Sequence, residues 1–318
     1  MDARLDPRLT DLDAARFTAH LNNLNRGLPV GRDAGVDATR KRLRIARDAD
    51  TADVTSNDIQ IACGGRGLRL RVYSPATNPG GSILFFHGGG WMMGDLDTND
   101  TLCRELCMQA GASVVNVDYR LAPEHPYPAA IHDGVAALRW LASGADGLVR
   151  GADRIAVAGH SSGGNIAAVL AQLAAAGEAP RVVHQLLLCA VLDSDTTRDS
   201  YRENATGLLM TTAEMEWYWE LYCPDPHRRT EPAASPLNRA NLSGLAPATI
   251  VVAEHDTLRD EGLEYAGRLR AAGVPTHTIF IPGVPHLFIT FPPMPSRDRA
   301  IAQSAGRLKE ALASPDGS

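Results

Sequence analysis

Gly159-His160-Ser161-Ser162-Gly163-Gly164 stands between the apolar run Ile155-Ala156-Val157-Ala158 and the helix-forming run Asn165-Ile166-Ala167-Ala168-Val169-Leu170. A Gly-x-Ser-x-Gly pattern between a strand and a helix holds a serine on a sharp, strained turn, its Oγ raised above the carboxyl edge of a sheet. Gly159 and Gly163 suit that turn because a side chain at either would crowd it. The helix that follows directs free N–H groups and its positive end at the same place. The stretch therefore predicts a strand–turn–helix unit with a nucleophilic serine at its apex.

On both sides of this unit, short apolar runs alternate with helical ones. Ile83 to Phe86, Val114 to Val117, Ile155 to Ala158, Leu186 to Ala190, Ile250 to Ala253 and Thr278 to Ile281 read as strands. Helices fit near 98–110, 127–143, 164–176, 259–272 and 297–313. Continuous apolar strands separated by helices predict an α/β fold whose central sheet is mostly parallel and covered on both faces. Upstream, Ile59-Gln60-Ile61 and Leu68-Arg69-Leu70-Arg71-Val72 alternate with period two across Gly64-Gly65, which predicts an antiparallel hairpin at a sheet edge. Residues 1–50 are polar and Arg-rich, with helices expected near 10–22 and 36–47. A second interruption, 195–245, holds the capping-box pattern Thr211-Thr212-Ala213-Glu214 and the aromatic residues Trp217, Tyr218, Trp219 and Tyr222. The expected organisation is a helical cap from 1–50 and 195–245 over a catalytic domain contributed by 51–194 and 246–318.

Composition narrows the function. A chain of 318 residues, 44% hydrophobic and 21% charged, is ordinary for a globular protein. A formal charge of −6 gives no basic footprint for nucleic acid or an anionic membrane. Cys63, Cys103, Cys107, Cys189 and Cys223 are odd in number and without paired spacing, which argues against a disulfide framework or zinc ribbon. Met1-Asp2-Ala3-Arg4-Leu5-Asp6-Pro7 lacks the apolar core of a signal peptide, and no apolar run approaches membrane-spanning length. The expectation is a cytoplasmic protein without metal or cofactor.

A serine hydroxyl needs a general base, and the base an orienting carboxylate. Asp256 follows the strand that starts at Ile250, and His286 follows Ile281-Pro282-Gly283, giving the chain order serine, acid, histidine. Glu254 is a rival on the same strand, whereas Asp260 and Glu261 belong to the next helix. His277 starts a strand and His255 adjoins the acid, so both are less well placed than His286. His160 touches the serine in sequence, but neighbours in a tight turn point apart, and it reads as a packed or solvated turn residue. Ser162 is the other serine; its frame would put His160 where the turn wants glycine, and its backbone N–H is better suited to an oxyanion. His87-Gly88-Gly89-Gly90-Trp91 follows the strand Ile83 to Phe86 and supplies the other bare N–H groups. This run has neither the lysine of a phosphate loop nor dinucleotide-site spacing. Asp118 to Glu124 reads as a brace for it.

These motifs, with Asp118-Tyr119-Arg120-Leu121-Ala122-Pro123-Glu124, Asp256-Thr257-Leu258-Arg259-Asp260-Glu261-Gly262 and Pro285-His286, resemble in order those of the hormone-sensitive-lipase-like esterases of the α/β-hydrolase fold, over about residues 80 to 290. The resemblance implies a triad of Ser161, Asp256 and His286, an oxyanion hole of Gly88, Gly89 and Ser162, and a cap from the N-terminal and 195–225 segments. It departs from the family's usual aspartate and alanine at His160 and Ser162, proline at Thr257 and glycine at Leu287. None of these removes a reacting group.

The expected function is a serine carboxylesterase that hydrolyses short- to medium-chain esters through an acyl-enzyme. The same machinery suits an amide, lactone or carbamate. A binding module like the gibberellin receptors, which resemble the family but lack the catalytic histidine, is opposed by His286. Trp91, Trp217 and Trp219 are the candidates for a substrate pocket, with cap core as the other reading of the aromatic run. Members of the family often dimerise through an edge strand, which makes a homodimer an expectation.

Overall fold

The computed structural model describes residues 5–24, 31–42, 53–77, 80–149, 151 and 154–313. The first four residues and 43–47 of the second expected helix lie outside that set. Eight strands form one sheet: β1 (Val54–Cys63), β2 (Arg66–Pro75), β3 (Ser82–Phe86), β4 (Ser113–Val117), β5 (Ile155–His160), β6 (His184–Leu188), β7 (Ala248–His255) and β8 (Thr276–Pro285). Their order is β1-β2-β4-β3-β5-β6-β7-β8. β1 and β2 form the expected hairpin, β2 runs antiparallel to β4, and every other pair is parallel.

The helices are α1 (Leu12–Leu24), α2 (Gly35–Arg42), α3 (Asp100–Ala110), α4 (Ala129–Ala142), α5 (Ser162–Ala175), α6 (Asp199–Glu203), α7 (Thr212–Tyr222), α8 (Arg259–Ala271) and α9 (Pro295–Leu312). Alternation along each strand sends side chains to two cores. Leu84 and Phe86 pack with α4, α5 and α8 on one face, through residues such as Leu138, Ile166 and Tyr265. Ile83 and Phe85 pack on the other face with Leu106 of α3 and Ile301 and Leu308 of α9. Two strand ends differ from the sequence reading. β6 stops at Leu188 because Cys189 turns into positive φ (45°), and β8 continues to Pro285, so His286 emerges directly from a strand.

α7 begins with the expected capping box, the Glu214 N–H donating to Thr211 Oγ1 at 3.1 Å and the Thr211 N–H to Glu214 Oε2 at 2.9 Å. The N-terminal segment is fastened to the residues around α6 and α7. Arg8 donates to the Glu203 and Thr206 carbonyls, Asn22 to the Gly207 carbonyl at 2.8 Å, and Arg32 pairs with Glu220 at 2.7 Å. Among the described residues no helix is long and apolar enough to cross a membrane.

Candidate active site

β5 ends at His160 and α5 starts at Ser162, which leaves Ser161 at φ 55°, ψ −120°, a strained conformation for a residue with a side chain. Three backbone bonds hold it: the Ser161 N–H donates to the Leu188 carbonyl at 2.9 Å, and its own carbonyl accepts from the N–H groups of Asn165 and Val191, each at 3.2 Å. The turn closes so tightly that a Cβ on Gly163 would run into the carbonyl oxygens of Phe86 and His87, and one on Gly159 into the Gly163 backbone. Glycine is required at both positions by close approach.

Three parallel strand ends then converge. His286 leaves β8 with Nε2 at 3.0 Å from Ser161 Oγ and Nδ1 at 2.8 Å from Asp256 Oδ2. A carboxylate only accepts, so Nδ1 carries the proton and Nε2 is left to accept from the serine hydroxyl. Asp256, at the end of β7, takes the Leu258 N–H on Oδ1 at 2.9 Å. All three residues are buried. The rivals are engaged elsewhere. Glu254 accepts the Gly283 N–H at 2.7 Å, Asp260 accepts the Ser200 N–H at 2.7 Å, and Glu261 accepts the Leu192 N–H at 2.9 Å. Ser162 is buried, and its Oγ is not the hydroxyl that meets His286.

The glycine-rich loop differs from expectation in one donor. The Gly88 N–H is taken by Asn99 Oδ1 at 3.1 Å and is not available to an oxyanion. The N–H groups of Gly89, Gly90 and Ser162 have no acceptor among the described residues. The loop is braced from below: His87 donates through Nδ1 to the Gly88 carbonyl at 2.8 Å and stacks on Tyr119 at 4.3 Å. Tyr119 donates its hydroxyl to the His87 carbonyl at 2.9 Å, and the Ala122 N–H reaches the Trp91 carbonyl at 2.9 Å. Burial pushes His87 down to about 4, so this brace is uncharged.

Arg40 of α2 completes the support. It donates through Nε to the Met92 carbonyl at 2.7 Å, to the Ala122 carbonyl at 2.8 Å, and to both oxygens of Glu124 at 2.8 and 2.7 Å. The guanidinium holds Glu124 down at about 2. Arg40 carried no signal in the sequence, where it stands in a polar, Arg-rich stretch.

The pocket candidates are buried side chains. Trp91, at φ 57°, lies flat on Tyr222 with ring centroids 4.1 Å apart and is tilted against Trp219 at 4.8 Å. Trp217 packs beside Tyr218 at 5.8 Å. Tyr218 is the aromatic that lies over the loop, because a Cβ on Gly90 would fall 2.6 Å from its ring. The sequence reading passed it over in favour of the tryptophans. It also missed Cys189, a buried thiol within 4.8 Å of the Asp256 and His286 donor atoms, and pushed well above the usual thiol range by burial and then by Asp256.

A family model for the alpha/beta hydrolase fold matches residues 83–290. The chain belongs to that family, in its hormone-sensitive-lipase-like esterase branch. It is 44% identical to the esterase LipI of Mycobacterium tuberculosis over 251 residues, 76% of this chain and 78% of that protein. It is 40% identical to an ethyl acetate hydrolase of Pseudomonas putida over 252 residues, 77% and 79% of the two chains. A thermostable esterase from Pseudomonas putida superposes with a TM-score of 0.88 at 34% identity, covering 99% of both chains. The protein is a carboxylic ester hydrolase.

Proposed function

We propose that the protein hydrolyses small carboxylic esters of short to medium acyl length, with Ser161 as nucleophile, His286 as general base and acid, and Asp256 as the orienting carboxylate. The observation that carries this is the pair of contacts on one buried ring, 3.0 Å to Ser161 Oγ and 2.8 Å to Asp256 Oδ2. As Oγ bonds to the ester carbonyl carbon, its proton passes to His286 Nε2 and Asp256 stabilises the imidazolium. The oxyanion is met by the N–H groups of Gly89, Gly90 and Ser162, which are unengaged, with Gly90 in place of the expected Gly88. Collapse expels the alkoxide, which takes the proton from Nε2 and leaves an acyl-serine. Water, deprotonated by His286, then releases the acid and restores Ser161.

The N-terminal helices and the 195–245 segment act in this reading as a cap whose aromatic side chains close the site and limit acyl length. The ethyl acetate hydrolase among the relatives supports small esters as substrates. Five buried, unpaired thiols support a reducing, cytoplasmic setting. Phe280, 43% exposed on the edge strand β8, supports a homodimer through that edge; light scattering that finds a monomer at micromolar concentration rejects it.

Labelling with a fluorophosphonate tests the site. Ser161→Ala is expected to abolish labelling and turnover while Ser162→Ala stays labelled; the reverse pattern defeats the assignment. Turnover of p-nitrophenyl esters of rising acyl length is expected to peak at short to medium chains. Efficient hydrolysis of long-chain triglycerides would refute the closed site.

A further inference from the structure

His160 lies against two parts of the machinery at once. Its ring stacks on that of His286, centroids 5.5 Å apart and planes 25° apart. Its other edge is wedged against the oxyanion loop, where Nδ1 is 2.6 Å from the place a Gly88 Cβ would occupy. The residue is only 3% exposed, and its Nε2 has no partner among the described residues. On the sheet edge this ring is the floor on which the catalytic imidazole rests.

We propose that His160 is a positioning residue, whose buried ring backs the His286 imidazole against Ser161 and the oxyanion loop, and that by keeping this position free of negative charge it lets the esterase remain active further into acid than an anion here would. The proposal rests on the triad reading given above. The groups that face His286 are Asp256 at Nδ1, Ser161 at Nε2, the Cys189 thiol and His160. Those that face His160 are His286 and His87. Burial first, then these two histidines, hold His160 well below the ordinary histidine range. It therefore contributes bulk without charge, and Asp256, the carboxylate in contact with His286, stabilises the imidazolium. An anion at position 160 would stabilise that imidazolium a second time, in the resting enzyme, and leave the base protonated where it must be free. The acid limb of the pH profile would then move to higher pH.

His160→Asn and His160→Asp differ from each other only in charge, so their comparison removes packing from the readout. His160→Asn is expected to keep the wild-type acid limb of kcat/KM. His160→Asp is expected to shift its midpoint upward by about one to two pH units, the effect of a unit charge about 5.5 Å from the base at an effective dielectric constant of about 20 to 40. Fluorophosphonate titration of active sites in each variant ensures that folded enzyme is counted. Coincident acid limbs in the two variants overturn the proposal. His286→Ala separates this failure from that of the triad: if it stays active, the triad reading fails, and if it is inactive while the limbs coincide, only the role of His160 fails. Side-chain ¹⁵N spectra of the unmodified enzyme give a second measurement that needs no variant. A His160 ring that stays neutral down to pH 5 supports the proposal, and one that protonates above pH 6 overturns it.

Discussion

His184 begins β6 at the edge of the sheet opposite the active site, 5% exposed, with Nε2 2.9 Å from Thr249 Oγ1. Burial lowers it from 6.5 to about 4, with Arg307 adding to the shift and Glu310 opposing it. The folded protein thus keeps His184 neutral down to about pH 4, while the unfolded chain takes up a proton below about 6.5. Unfolding binds a proton between those values, so stability is lost as pH falls through that window. Between pH 8 and pH 5 the two values give a loss of about 2 kcal/mol from this one residue. For a chain of 318 residues that is about 3 °C in Tm. His184→Gln keeps a polar group near Thr249 and cannot titrate. Urea unfolding of both proteins at pH 8 and pH 5 should show wild type losing about 2 kcal/mol more than the variant. His87 and His160 are lowered in the same direction, but they are common to both proteins and cancel in the difference. A gap between the two proteins that stays constant from pH 8 to pH 5 would refute the reasoning.

Gly89→Val places a Cβ against the Met93 backbone at a φ of +128° and displaces an oxyanion donor. A fall in kcat of about 10² to 10³ in a folded variant is expected, and unchanged kcat in single-turnover measurements would reject Gly89 as a donor. Trp219→Ala empties a fully buried space beside the stacked pair of Trp91 and Tyr222. Calorimetry should show a loss of about 3 to 5 kcal/mol with the acyl-length optimum unmoved. Tyr218→Ala, by contrast, opens the space above Gly90 and should move that optimum to longer p-nitrophenyl esters; an unmoved optimum would place Tyr218 outside the pocket.

Much of the proposed catalytic arrangement is legible because each of its three residues sits at the carboxyl end of an apolar strand, where a periodic pattern stops and a polar residue begins. Ser161, Asp256 and His286 each follow such a run, and parallel strands bring their ends together whatever the sequence between them. The donor assignment at Gly88 failed for the opposite reason. Its N–H is taken by Asn99, eleven residues on in a loop whose path no periodicity predicts. The stop of β6 at Leu188 was equally hidden, since a positive φ at Cys189 has no signature in the residue type. Arg40 belongs to the same class: a single cation on a polar helix reads as solvated surface, and only the folded chain brings three carbonyl and carboxylate partners to it.

That arginine has a consequence for recombination. Its partners are main-chain oxygens at Met92 and Ala122 and the carboxylate of Glu124, all contributed by the loops that shape the glycine-rich turn. The N-terminal helices therefore cannot be traded between related enzymes as a self-contained module. A chimera that imports foreign helices without a guanidinium at position 40 would leave two carbonyl oxygens and one carboxylate without their donor, and the disturbance would fall on the turn that receives the oxyanion. Grafts chosen to alter substrate preference would then lose turnover for a reason unrelated to the shape of the pocket. Exchange partners should be matched first at this one contact.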